Sequence, residues 1–193
     1  ISDFSFPNGG NCINKMEECR NTIPKRITFV TKLQAKAIMH KRVERGERVV
    51  YFFNHIGDIL STAKEYKNSP LHEQMAVSFS DIKRRDKLKK EDAGLYVRMD
   101  EAEKAISTTQ KLPDRIKLFL TTGKNKEGIN IKDTDVAALF VEAHAEVDIV
   151  QMAGRIREGV DDLYIVTDSQ PHESKESSFE YQLTSKKDFL KVI

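Results

Sequence analysis

A chain of 193 residues is long enough for one compact α/β domain with an extension. Apolar residues make up 39% and charged residues 32%, a globular balance; a net charge of +2 excludes a global basic field, so a polyanionic partner has to be argued from local sites. No apolar run approaches the roughly 18 residues of a membrane span, and no signal-peptide pattern opens the chain. Two cysteines, Cys12 and Cys19, cannot build a disulfide framework, which points to a reduced, cytoplasmic protein. The first residue is Ile1 rather than Met, which suggests a piece of something larger.

Residues 1–25 read as a loop or linker, with Pro7, Gly9 and Gly10 breaking any period. RITFVT, 26–31, is a short β-prone run, and KLQAKAIMHKRVERG reads as a helix stopped by Gly46. Then short apolar runs alternate with charged, helix-like stretches. The runs are RVVYFF (48–53), MAVSFS (75–80), LYVRM (95–99), IKLFLTT (116–122), VAALFVEA (136–143) and LYIVTD (163–168). Several are nearly continuous, as expected of strands covered on both faces. Helical candidates lie between them at 57–67, 100–110 and 146–156. The expectation is an open, doubly wound, mostly parallel sheet with helices on both faces, spanning 26–168. Residues 169–193 read as a polar linker and a terminal helix, which Ser185 and Asp188 start with a capping-box-like pair.

Two segments depart from plain packing patterns, and both are expected at the carboxyl ends of strands, where ligands gather in open α/β sheets. In LFLTTGKNKEGINI, 118–131, a strand runs into Thr121 and Thr122, then Lys124, Gly128 and Asn130. Hydroxyls, loop amides and a lysine at a strand end suit phosphate groups. The plain alternative is a strand exit made of turn residues. In EVDIVQMAGRIREG, Ile149, Met152, Ala153 and Ile156 form one apolar stripe, while Asp148, Gln151 and Arg155 share the opposite face. Gly154 costs about 1 kcal/mol relative to Ala inside a helix, which suggests a packing or ligand reason. Arg155 and Arg157 are suited to fork onto phosphate oxygens. The alternative is a solvated helix face ending in glycines.

With both segments in this order, the sequence resembles the second RecA-like domain of superfamily-2 helicases. TTGKNKEGINI is similar to their motif V, QMAGRIREG to motif VI of the form Gln-x-x-Gly-Arg, and RVVYFFN (48–54) to motif IV. The resemblance implies a RecA-like fold and a motor that uses ATP with Mg²⁺. It implies that Asn54 and His55 lie near a DNA or RNA strand, and that Thr122, with Thr121 beside it, contacts a phosphate. It implies that Gly128 and Asn130 lie by ATP, with Asn130 where many members have Asp, that Gln151 couples nucleotide to the interdomain contact, and that Arg155 faces the phosphates.

There is one departure. The family's further arginine, its arginine finger, falls on Glu158, and Arg157 comes one residue early. The P-loop pattern is missing, as is an acidic Mg²⁺ motif, so both are expected on a first domain of the same polypeptide. No metal ligand is assigned here: His40, His55, His72, His144 and His172 are scattered, without zinc-ligand spacing to the cysteines. DIKRRDKLKK, 81–90, holds six basic residues that could meet a nucleic-acid backbone, although such a run is more often a solvated helix face. The expected function is the second motor domain of a nucleic-acid-dependent ATPase, inactive without its P-loop partner. A duplex translocase subunit and a non-catalytic RecA-like binding module are the alternatives, the second favoured by Glu158.

Overall fold

The computed structural model describes residues 24–122, 129–142 and 145–167. Cys12, Cys19, Lys124, Gly128, His144, His172 and the terminal segment with Ser185 lie outside the described residues. Within them, the strands are β1 (Arg26–Thr31), β2 (Arg48–Phe53), β3 (Met75–Ser78), β4 (Leu118–Thr122), β5 (Val136–Glu142) and β6 (Asp162–Thr167). They form one sheet in the order β1-β6-β5-β2-β4-β3, and every pairing is parallel.

The helices are α1 (Lys32–Glu44), α2 (Ile56–Glu65), α3 (Ile82–Glu91), α4 (Ala93–Thr109) and α5 (Glu146–Ala153). The period of two along each strand splits the core into two layers. Val49, Tyr51 and Phe53 face α1 and α2, while Val50 and Phe52 face the side that α5 covers. Leu95 and Met99 of α4 join the first layer, Ala102 and Ile106 the second, so α4 wraps the β3 edge. This is the open α/β sheet expected, with helices on both faces and parallel throughout. Connections β1–α1–β2 and β2–α2–β3 run one way across the sheet, and the chain returns over the other face, as right-handed crossovers require.

Local chemistry sets the element ends. Thr31 caps α1 in a reciprocal box with Gln34 (3.3 and 2.9 Å). Gly46, at φ +76°, ends it, its N–H donating to the Val43 carbonyl at 2.9 Å. LYVRM, expected as a strand, lies inside α4. The Asp92 carboxylate accepts from the Leu95 N–H at 2.9 Å, and Leu95, Met99, Ala102 and Ile106 form a buried helical stripe. Capping and that stripe outweigh the β preference of Tyr96 and Val97.

Ion pairs close the amino edge of the sheet. Arg48, buried at the start of β2, meets Asp133 at 2.9 Å and Asp135 at 3.2 Å. Asp162, buried at the start of β6, accepts from Arg26 at 2.5 and 2.9 Å and also from Arg42. Burial pushes the Asp162 carboxyl up, but hydrogen bonds from Arg26 and Arg42 outweigh it and hold the group below its ordinary value. A lowered folded pKa contributes stability that is full above the unfolded value of about 4 and is lost as pH falls through the folded one. Urea denaturation at pH 7 should find Asp162→Asn less stable by about 2 kcal/mol. The gap should close below about pH 4; a gap of unchanged size at pH 2 would contradict this account.

Candidate functional site

The expected site residues fall into two clusters. The first is at the carboxyl edge of the central strands. Phe53 of β2 is in register with Thr122 of β4, so Asn54 and His55 leave the sheet beside Thr121 and Thr122. His55 is exposed at the N-terminus of α2, and Asn54 is half-buried. Both threonine side chains are buried. The Thr121 hydroxyl donates to the Ser78 carbonyl of β3 at 3.1 Å, so it does not present itself at a strand end as expected. It ties β4 to its neighbour.

This edge contains a residue that the sequence reading missed. Glu142, the last residue of β5, is buried, and its two oxygens take different partners. One accepts from the Tyr51 hydroxyl at 3.0 Å, the other from the Asn54 N–H at 3.1 Å. Lys32 stands 3.8 Å away. Burial, and then the adjacent Glu142 charge, push the Tyr51 hydroxyl pKa up, so it stays a donor. Glu142 thereby fixes where the chain leaves β2. The available signal was a lone acid closing the apolar run VAALFVE.

The second cluster lies elsewhere. Both segments were expected at the carboxyl edge, but α5 leaves that edge and runs back toward the amino end of β6, carrying residues 154–157 with it. The helix ends at Gly154, not at Ile156 as expected. Its φ of −66° is right-handed, so the position does not need glycine's freedom; an added Cβ would sit 3.3 Å from the Val150 carbonyl oxygen, a tight contact.

Beyond Gly154 the chain makes a turn, the Arg155 N–H donating to the Met152 carbonyl at 3.1 Å and the Ile156 N–H to the Ala153 carbonyl at 3.2 Å, and Ile156 then pairs with the stretch before β5. Ile131 and Ile156 form a parallel bridge: the Ile131 N–H donates to the Arg155 carbonyl at 2.8 Å, and the Arg157 N–H to the Ile131 carbonyl at 2.7 Å. Ile129, Ile131 and Ile156 point into the core. Of their neighbours, Asn130 and Arg155 are half-buried and Arg157 is exposed. Arg157 Nε donates to Asn130 Oδ1 at 3.1 Å, and Arg155 Nη1 stands 3.5 Å from that oxygen, a contact rather than a firm hydrogen bond. Among the described residues neither guanidinium forms an ion pair with a carboxylate. Glu158 lines a different cleft, with Lys25, Thr134, Asp135 and Asp161 at the amino ends of β5 and β6. Gln151 is exposed on α5 beside Val147 and Val150, which are 62% and 59% exposed.

The arrangement offers two fixed cations over one neutral amide oxygen. That donor set fits an anion with several oxygens, such as a polyphosphate.

No protein-family profile and no curated protein matches the chain. Several solved structures are similar to it. One is the E. coli DEAD-box protein SrmB bound to regulator of ribonuclease activity A, with 14% identity over 75% of this chain and 78% of that one, TM-score 0.46. Another is the Pyrococcus furiosus Hef helicase domain, with 15% identity over 86% of this chain and 34% of that one, TM-score 0.45. A third is the C-terminal part of the Fun30 ATPase domain, with 16% identity over 70% of this chain and 41% of that one, TM-score 0.42. The chain thus spans 34% and 41% of the length of the last two.

Removing Glu142 should test how firmly the carboxyl edge is held. Glu142→Ala leaves two donors without their acceptor and should cost about 3 kcal/mol in urea denaturation, whereas Glu142→Gln keeps one acceptor and should cost about half. Equal losses for the two variants would contradict the two-acceptor arrangement.

Proposed function

We propose that this chain is the second motor domain of a nucleic-acid-dependent ATPase of the superfamily-2 helicase type. The observation that carries the reading is the Ile131–Ile156 bridge. It brings Asn130 of the motif V-like segment and Arg155 and Arg157 of the motif VI-like segment to one place, on the outward side of the sheet's α5 face. The two segments were singled out separately for phosphate chemistry.

In this reading a P-loop domain of the same polypeptide holds ATP and Mg²⁺, and the two arginines meet the triphosphate across the cleft. A guanidinium placed against the transferring phosphoryl group stabilises charge that develops there in the transition state. Arg157, the more exposed, is the arginine finger, and Arg155, half-buried, is the fixed contact. The exposed side of α5, with Val147, Val150 and Gln151, faces the P-loop domain; two valines open to solvent on one short helix suit a surface that a second body covers. Asn54 and His55 at the carboxyl edge, where β2 ends beside Thr122, hold the nucleic-acid strand.

One chain connection links the two clusters. The β4–β5 connection begins at Thr122, on the nucleic-acid edge, and includes Asn130, beside the arginines. In this reading domain closure draws Arg155 and Arg157 to the triphosphate. Repeated closure and opening is translocation or strand separation.

The departure at Glu158 supports this reading more than the non-catalytic alternative. Glu158 belongs to another cleft, and Arg157 supplies the second cation at the bridge. In the full-length protein, Arg155→Ala and Arg157→Ala should each lower nucleic-acid-stimulated ATPase by at least tenfold, about 1.4 kcal/mol of transition-state stabilisation. Nucleic-acid affinity without ATP should stay within about twofold, a shift of roughly 0.4 kcal/mol. If neither variant loses ATPase, the reading fails.

A further inference from the structure

We propose that the outward face of α3, together with the last turn of α2, is a second contact surface for a nucleic-acid backbone, outside the carboxyl-edge cluster. The inference rests on the motor reading and adds where the track continues. A basic run on a helix is ordinarily a solvated face, and the sequence alone favours that. Two structural observations argue against it here.

The first is how little holds α3. Leu88 is its buried apolar residue, and Arg85 turns inward, donating to the Phe79 carbonyl at 2.7 Å and pairing with Glu103. Lys83, Arg84, Lys87 and Lys90 stand outward, while Lys89 lies over the Tyr96 ring. Packing demands little of these positions.

The second is convergence. Lys64 and Lys67 come from the end of α2 to the same groove as Lys87. Lys64 lies 3.8 Å and Lys87 3.6 Å from the Glu91 carboxylate, and Lys67 donates to the Glu91 carbonyl at 3.3 Å. One carboxylate is shared among cations from two helices. Residues 64–67 and 81–92 together hold eight basic and five acidic residues, with Asp92 in the same groove and Arg84 3.9 Å from Asp81, so the excess of three on this face is larger than the net +2 of the whole chain. Like charges gathered from two elements oppose folding slightly and attract a polyanion.

The position fits a track. α3 begins just past the carboxyl end of β3, which pairs with β4, so its first turn adjoins the edge that carries Asn54, His55 and Thr122. Ten helical residues extend about 15 Å, over which one strand of a duplex presents roughly four phosphates.

The test is the salt dependence of nucleic-acid binding by the full-length protein without nucleotide. The triple variant Lys83→Ala, Lys87→Ala, Lys90→Ala should bind more weakly, by a similar factor on unrelated sequences. The slope of log affinity against log salt should become shallower by about two to three. The triple Lys→Arg variant should keep the wild-type slope, and all proteins should share one melting temperature. An alanine variant with unchanged slope overturns the surface and leaves the motor reading in place, since that reading stands or falls on the ATPase of the Arg155 and Arg157 variants. A wild-type protein that does not bind nucleic acid overturns both.

Discussion

The candidate site depends on a two-residue ladder outside the main sheet. Ile131 and Ile156 pair in parallel, with both side chains in the core and two backbone hydrogen bonds between the segments. On a helix Arg155 and Arg157 would point some 200° apart, and one of them would be lost to any cleft. Past the helix, the bridge holds the backbone on both sides of Ile156 against Ile131, the Arg155 carbonyl accepting and the Arg157 N–H donating. Ending α5 at Gly154 therefore turns an Arg-x-Arg spacing that looks wrong for a helix into a pair of cations over Asn130. The burial of Ile156 between them anchors both backbones, so the pair is placed by the hydrophobic core rather than by its own charges.

Charges on this molecule divide by what they meet. At the amino edge Arg48 faces Asp133 and Asp135, and Asp162 faces Arg26 and Arg42. Arg48 and Asp162 are buried at strand starts and Asp133 just before β5, where an unpaired charge would be costly, and each of the three has its opposite. His72, Asp92, Glu73 and Arg98 form a similar set at the start of β3, with Arg98 also donating to the Met75 carbonyl at 2.9 Å. The outward arginines after α5 and the lysines of α3 follow a different rule. The arginines have no carboxylate partner among the described residues, Lys87 of α3 shares Glu91 with Lys64, and both sets sit where packing does not need them. The first group belongs to the fold, and the second has charge in excess of what the fold uses.

The strands were legible in the sequence because both faces of a parallel sheet are covered. RVVYFF and VAALFVE show that burial directly as near-continuous apolar runs. LYVRM carried the same local signal and was misread, because what decides it is a capping carboxylate at Asp92 and partners further along α4. The arginines were recognised as a cluster, but their location was not. That required knowing that α5 stops at Gly154 and runs away from the carboxyl edge, which is tertiary information. Glu142 was invisible for a related reason. Its partners Tyr51 and Asn54 lie on a strand that is adjacent in the sheet but far away in sequence. Thr121 was overread, since a hydroxyl at a strand end is open only if no neighbouring carbonyl takes it, and Ser78 does.

Asn130 explains how a paired set of cations can wait without being neutralised. The resemblance to the helicase pattern puts an aspartate at this position in many members. An aspartate here would form ion pairs with Arg155 and Arg157, and an incoming phosphate would have to compete with a full negative charge. An amide oxygen orients the two guanidinium groups through weaker, neutral-acceptor contacts, at 3.1 and 3.5 Å. The guanidinium donor is ionised in both cases, and what a phosphate adds is a full negative charge and several oxygens in place of one amide oxygen. A phosphate can therefore draw both arginines off Asn130, and its departure lets them return. In the proposed motor reading the amide oxygen competes only weakly with a triphosphate, and it takes the two guanidinium groups back when the anion leaves.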